Sequence, residues 1–267
     1  MKQKLLTTIV SLVSVAILSL GLSSNANVAM AQKSGYKDYR GLQFTGIQVS
    51  SAFQVELKKS RVNLVSVEIN PDYLQYINIE AEAGILKMKM TDDLPRKLQR
   101  IQNPIKVIVQ TPVINYIYLS GASTLTSSDA FDLGMNELRV TLKSASKIHT
   151  LHINAIDASF DLSSASRADI TGEFGDCEIE LASASRLTIQ GSVNNLDVKA
   201  TSASYLEAFQ LVAEDAEIDL SSASKAEVNV KNTLELKATG ASKCTYKEYD
   251  STRIHPELVG ASTVKSF

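Results

Sequence analysis

The sequence predicts an all-β protein: a right-handed parallel β-helix of about 20 residues per turn, with an irregular or antiparallel β N-terminal cap. The triplet Ser-Ala-Ser, or Gly-Ala-Ser, returns eight times, its alanine at Ala122, Ala145, Ala165, Ala184, Ala203, Ala223, Ala241 and Ala261. A repeat this short marks a solenoid whose units bury their apolar faces only against neighbours. Around the triplets every second residue is apolar or small, as in Ile218, Leu220, Ser222, Ser224, Ala226, Val228 and Val230, while Asp219, Ser221, Lys225, Glu227 and Asn229 hold the other phase. That period of two is a strand. Gly175-Asp176, Asn194-Asn195, Glu214-Asp215 and Lys231-Asn232 read as turns. Strands of successive coils then pair in parallel and length differences collect in one corner. Parallel crossovers make the winding right-handed.

Taken in order, residues 1–31 read as a cleavable signal peptide. Lys2 and Lys4 precede an apolar run from Leu5 to Leu22, and Ala29-Met30-Ala31 offers a small-x-small site before Gln32. A membrane anchor is the rival reading, but Thr7, Thr8, Ser11, Ser14 and Ser19 break the run and no basic cluster follows it. The mature chain is therefore expected without a transmembrane span and exported, to the periplasm, the cell surface or the medium. Residues 32–43 form a linker. Residues 44–115 are a β-rich cap continuous with the solenoid: Phe44 to Leu57, Val62 to Ile69, Tyr76 to Ala81 and Ile85 to Met90 alternate as strands, with Asn70-Pro71-Asp72 and Ala83-Gly84 as turns. Ser50-Ser51-Ala52 matches a degenerate ninth triplet, and Thr91 to Pro104, carrying Pro95, Arg96, Lys97 and Arg100, is a basic loop, either a solvated insertion or an anion contact. Residues 116–267 are the repeat β-helix. Its triplet serines share the inward phase, with alanine outward or at the bend. An uncapped terminal rung would recruit a second chain and give self-association.

The formal net charge is −2 and becomes more negative once Lys2 and Lys4 are removed, which argues against nucleic acid as partner. Only Cys177 and Cys244 are present. They lie more than three turns apart, about 15 Å at the strand spacing, beyond the roughly 7 Å limit of a bridge, so two buried free thiols are predicted.

Serine abundance with His149, His152 and His255 invites a search for an activated nucleophile. Serines that recur identically in every rung form a structural ladder instead. His149 and His152 differ in strand phase and His255 precedes Pro256, which removes the simplest metal pair. No catalytic residue, metal or cofactor is expected. Aligning turns places Glu178, Asp197, Glu217 and Glu235 in one outward column and Asp161, Glu180, Asp219 and Glu257 in the next, interrupted by Lys199 and Lys237. These suit calcium, a cationic partner or a plain solvated face. Another column holds Lys147, Arg167, Arg186, Tyr205, Lys225 and Lys243. It suits an anionic glycan, or cation–π stacking that holds the coil. With no tryptophan in the chain, Tyr116 and Tyr118, outward near Arg139, are the aromatic candidates for a sugar platform. Arg167, Arg186, Tyr205, Lys225, Tyr116 and Tyr118 are thus the candidate binding residues.

The run from Val107 to Ser123, VIVQTPVINYIYLSGAS, followed by recurring Ser-Ala-Ser-Lys/Arg, resembles the head GIN domain family of auto-transporter adhesins, and the likeness extends from Phe44 to the C-terminus. The resemblance implies an exported bacterial β-helix without assigned catalytic residues, and it carries no binding residue onto these positions. The expected function is a non-enzymatic adhesin or envelope-associated binder of a glycan or surface component. A polysaccharide lyase or hydrolase on the same scaffold is the alternative.

Overall fold

The computed structural model describes residues 35–93, 95 and 105–267. Residues 1–31, expected to be a signal peptide, and the basic residues Arg96, Lys97 and Arg100 lie outside the described residues.

The chain winds as a β-solenoid of about eight turns, about 20 residues each. Five long strands dominate it, β11 (Lys147–Leu162), β12 (Arg167–Leu181), β13 (Arg186–Ala200), β14 (Tyr205–Leu220) and β15 (Lys225–Ala238), each pairing in parallel with the next. Earlier rungs are built from shorter pieces. β2 (Gly46–Val49) and β3 (Phe53–Lys59) flank the degenerate triplet, and β8 (Tyr116–Leu119) and β9 (Thr124–Asp132) flank the first Gly-Ala-Ser. β10 (Leu138–Leu142) continues the β8 face into β11.

The N-terminal cap inserts a later piece of chain beneath an earlier one. β6 (Ile85–Met90) and β7 (Ile105–Thr111) pair in parallel with β2 and β3, although they follow them in sequence. Antiparallel strands then close the end: β4 (Leu64–Ile69) lies on β7, β1 (Gly35–Arg40) on β4, and β5 (Ile77–Glu82) on β6. A short 3-10 helix, Pro71–Tyr76, leads into β5, with the Asn70 side chain accepting from the Asp72 N–H at 3.0 Å. At the other end β16 (Lys243–Lys247), β17 (Arg253–Leu258) and β18 (Thr263–Ser266) continue the parallel stack.

Alternation drives the burial. In β12, Ala168, Ile170, Phe174, Cys177, Ile179 and Leu181 point inward and the phase slips once, at Gly175-Asp176. The slip is a bend that brings the two halves of the strand onto different faces of one core. Phe160 and Phe174 meet there edge to face at 5.9 Å. Gly175-Asp176, Asn194-Asn195 and Glu214-Asp215 are therefore not loops of variable length. Asp176, Asn195 and Asp215 pair in register. Most of the length variation appears instead in the first half of the rung, as register shifts such as the one that leaves Phe209, Gln210 and Leu211 unpaired with β15.

The triplets are the corners, and their geometry corrects the inward-serine expectation. In the first seven triplets the first two residues carry positive φ, as at Ser164 (56°) and Ala165 (61°), and in most of them the third N–H returns to the carbonyl just before the triplet, Ser166 N to Ser163 O at 3.4 Å. This is the double left-handed pattern of a type I′ turn. Glycine replaces the first serine at Gly121, Gly240 and Gly260 because the same positive φ is needed there. In the first seven triplets both left-handed residues face solvent and only the last serine, such as Ser146, Ser166, Ser185, Ser204 and Ser224, is buried, whereas Ser262 in the last triplet is partly exposed. Four residues turn the corner, an even number, so parity survives while the side chains between do not follow it. Each corner is tied to the next by its alanine N–H, Ala165 to Ser183 O and Ala184 to Ser202 O, both at 2.9 Å. Ser51 (φ 71°) and Ala52 (φ 60°) repeat the geometry, and the Ala52 N–H donates to Gly121 O at 2.8 Å. Both cysteines are buried and free.

Candidate functional site

Two outward faces, one on each side of the triplet corner, carry the polar columns. On the face preceding the corner, strand register stacks Asp157, Asp176, Asn195 and Asp215 in one column. Two residues on, it stacks Tyr116, Arg139, Ser159, Glu178, Asp197, Glu217, Glu235 and His255 in a second. Because the strands bend between the columns, the rows rise on either side of a groove of about 930 Å³ floored by Ala158, Cys177, Leu196 and Ala216. Its walls hold Glu137, Asp157, Asp176, Asp215, Glu178, Asp197, Glu217 and Glu235, against Arg139 near one end. The flanking column runs Asp161, Glu180, Lys199, Asp219, Lys237, Glu257. From it Lys199 reaches Glu178 at 3.8 Å and Asp197 at 3.9 Å. Adjacent like charges about 4.8 Å apart repel by only ~0.9 kcal/mol per pair in water, so the face tolerates its own charge while presenting a net negative field that Lys199 and Lys237 interrupt on one flank.

On the face following the corner, register stacks Lys147, Arg167, Arg186, Tyr205, Lys225 and Lys243. The Tyr205 ring is sandwiched: the Arg186 guanidinium carbon lies 4.6 Å and the Lys225 ammonium 4.5 Å from its centroid. Arg186 is also paired with Glu207 and Lys225 with Glu227. Those hydrogen-bonded carboxylates push both cations above their ordinary pKa, while burial pushes the Tyr205 phenol up. Arg167 and Lys243 form no ion pair among the described residues.

The structure thus groups Arg167, Arg186, Tyr205 and Lys225 but separates them from Tyr116 and Tyr118, which lie across the corner at the N-terminal end of the acidic columns. Tyr116 is half-buried over Gly46, where a Cβ would stand 2.9 Å from its own Cβ, and burial raises its phenol pKa. The last serines of the triplets are committed to the backbone. Ser166 Oγ donates toward Ser163 O (2.8 Å) and Leu142 O (3.0 Å), and Ser146, Ser204 and Ser224 repeat the contact to the preceding rung. Among the described residues no three His, Cys, Asp or Glu side chains are grouped to hold a metal ion. No helix there is long and apolar enough to cross a membrane. What the sequence did not expose is the concavity of the acidic face, since it depends on bends inside continuous strands, and a second cleft beside the cap.

The fold and its columns define a β-solenoid that displays periodic polar surfaces. The family model "Putative auto-transporter adhesin, head GIN domain" matches residues 43–248, and the chain belongs to that family. Among solved structures it is similar to two from Parabacteroides distasonis, a "putative adhesin" (TM-score 0.78, 16% identity, 89% of this chain and 98% of that one) and a "putative lipid binding protein" (TM-score 0.74, 15% identity, 89% and 98%). A "putative adhesin" from Parabacteroides merdae gives TM-score 0.78 at 14% identity, covering 89% of this chain and 97% of that one. At these identities the likeness concerns the fold. No curated protein matches the chain.

Proposed function

We propose that the protein is an exported, non-enzymatic binding module of the cell envelope or surface, and that its acidic groove takes an extended cationic segment of a surface partner. The observation that carries this reading is the two-walled run of carboxylates, repeated rung after rung with one guanidinium near its end. A polysaccharide-cleaving site needs a pair of carboxylates whose environments differ, one held protonated and one ionised. Here Glu178, Asp197, Glu217 and Glu235 follow one another on successive rungs of one wall, which suits multivalent contact, while Asn195 interrupts the other wall. A bound polycation would relieve the repulsion along both columns at once, and its attraction would fall with ionic strength. Family membership and the adhesin names of similar structures support a binding role over catalysis.

The test is binding of the chain from Gln32 to poly-L-lysine, with Asp197→Asn/Glu217→Gln as the variant. Binding that weakens at least about tenfold in the variant and with added salt supports the reading. Binding unchanged by the double substitution, or cleavage of an acidic polysaccharide by the wild-type chain, overturns it.

A second reading places an anionic glycan on the basic stripe through Arg167, Arg186, Tyr205 and Lys225, with Tyr116 and Tyr118 as separate ring platforms. The observation in its favour is that Arg167 keeps its charge unpaired among the described residues. Arg186→Gln/Lys225→Gln abolishes retention of such a glycan on this reading. If retention survives, the stack around Tyr205 serves the coil alone.

A further inference from the structure

We propose that the cleft beside the N-terminal cap is a saccharide subsite, sized for one or two neutral pyranose rings and independent of the acidic groove. It lies on the face following the corner, where the β4–β7–β3–β9 pairing sets outward side chains, with Ile108 the aliphatic one among them, over the sheet backbone at Val55, Val107 and Leu125. Its volume is about 510 Å³, within the range of small-molecule sites, which are concave with an apolar floor and a few convergent polar groups.

The feature that selects a sugar is Tyr36. Of the nine tyrosines it is the one that is mostly exposed, at 73%, the other eight being partly buried, and it stands at this cleft. An aromatic ring left in water at the mouth of a cavity contributes nothing to the core, whereas stacking on the C–H face of a pyranose would bury it. Around the floor stand Gln54, Thr124 and His149, whose side chains form no hydrogen bond among the described residues. Glu56 adds an acceptor, and Lys106, 3.9 Å from Glu68, a donor. Hydroxyls of a sugar both donate and accept around the ring edge, and this mixture of amide, hydroxyl, imidazole and carboxylate serves both directions. An alkyl chain would leave those polar groups facing hydrocarbon without partners. With Lys58 2.9 Å from Glu56 and Lys106 3.9 Å from Glu68, each carboxylate is matched by one ammonium and the cleft has no positive excess for an anionic sugar.

Saturation-transfer NMR of the chain from Gln32 with cellobiose, N,N′-diacetylchitobiose and octyl β-glucoside below its micelle concentration tests the assignment. The expected result is transfer to pyranose ring protons of at least one probe, weakened about tenfold by Tyr36→Ala, retained in Tyr36→Phe and reduced by Gln54→Ala. Because Tyr36 is exposed, Tyr36→Ala keeps the wild-type melting temperature and poly-L-lysine binding, so failure here is separable from failure of the acidic-groove reading. Transfer from none of the three probes, transfer undiminished in Tyr36→Ala, or transfer confined to the octyl chain overturns the proposal.

Discussion

Replacing the buried corner serine Ser166 by alanine tests whether the triplets act as a structural ladder. Its hydroxyl has one proton shared between Ser163 O (2.8 Å) and Leu142 O (3.0 Å). Neither carbonyl is orphaned by the change, since Leu142 O still accepts the Ser163 N–H at 2.9 Å and Ser163 O the Ser166 N–H at 3.4 Å. The loss is therefore that of one net hydrogen bond, about 1 kcal/mol, rather than the larger cost of stranding a buried acceptor. For a domain of this size that lowers the melting temperature by about 2–4 °C. Ser146 donates to Leu119 O and Lys143 O and Ser204 to Leu181 O and Thr201 O, so the three serines share no acceptor. Ser146→Ala/Ser166→Ala/Ser204→Ala should cost about 3 kcal/mol, near the sum of three singles. Thermal and urea denaturation followed by far-UV circular dichroism reads both. A Ser166→Ala protein as stable as wild type, or a triple variant no worse than one single, refutes the ladder.

Two further outcomes follow from the same packing. Gly191→Ala places a Cβ 1.8 Å from Gly172 O at a φ of +126°, so soluble yield and cooperative melting should collapse, whereas Gly134→Ala, at φ +57° with nothing near it, costs only about 1 kcal/mol. Equal effects of the two would refute the close stacking of rungs at Gly172 and Gly191. Burial pushes the Cys177 thiol far up and Cys244 up to about 12. The folded chain thus holds these protons where the unfolded chain releases them, and stability present below about pH 8.5 should fall as pH rises from there toward 12. Cys177→Ala/Cys244→Ala should flatten that slope, and a native protein that reacts quickly with a thiol reagent at pH 8 contradicts the burial.

What was legible in the sequence was whatever repeats with the rung. Equal spacing placed Glu178, Asp197, Glu217 and Glu235 in one column, and Arg167, Arg186, Tyr205 and Lys225 in another, because parallel register carries a position in one coil onto the same position in the next. The corner was legible as a motif but not as a conformation. Ser-Ala lacks the Asn-Gly chemistry that announces two left-handed residues, and parity carried across an even-numbered turn put Ser164 and Ser222 inside when they face solvent. The cap defeated sequence order altogether, since β6 and β7 slide beneath strands that precede them.

The same regularity explains why chemistry was harder to read than fold. A residue type dictated by the rung must recur, and a recurring side chain is accounted for by packing, as Ser166 is, or by neighbour pairing, as the Arg186–Tyr205–Lys225 stack is. Recognition of one particular partner needs a place where the recurrence is used up or broken. The acidic groove meets the first condition in that its columns are walled into a concavity by the bends at Asp176, Asn195 and Asp215. Tyr36 meets the second, because it belongs to an antiparallel strand outside the repeat and no rung dictates an aromatic there. In a solenoid, candidate sites are therefore sought both where bends turn the period into a concavity and where the chain departs from the period.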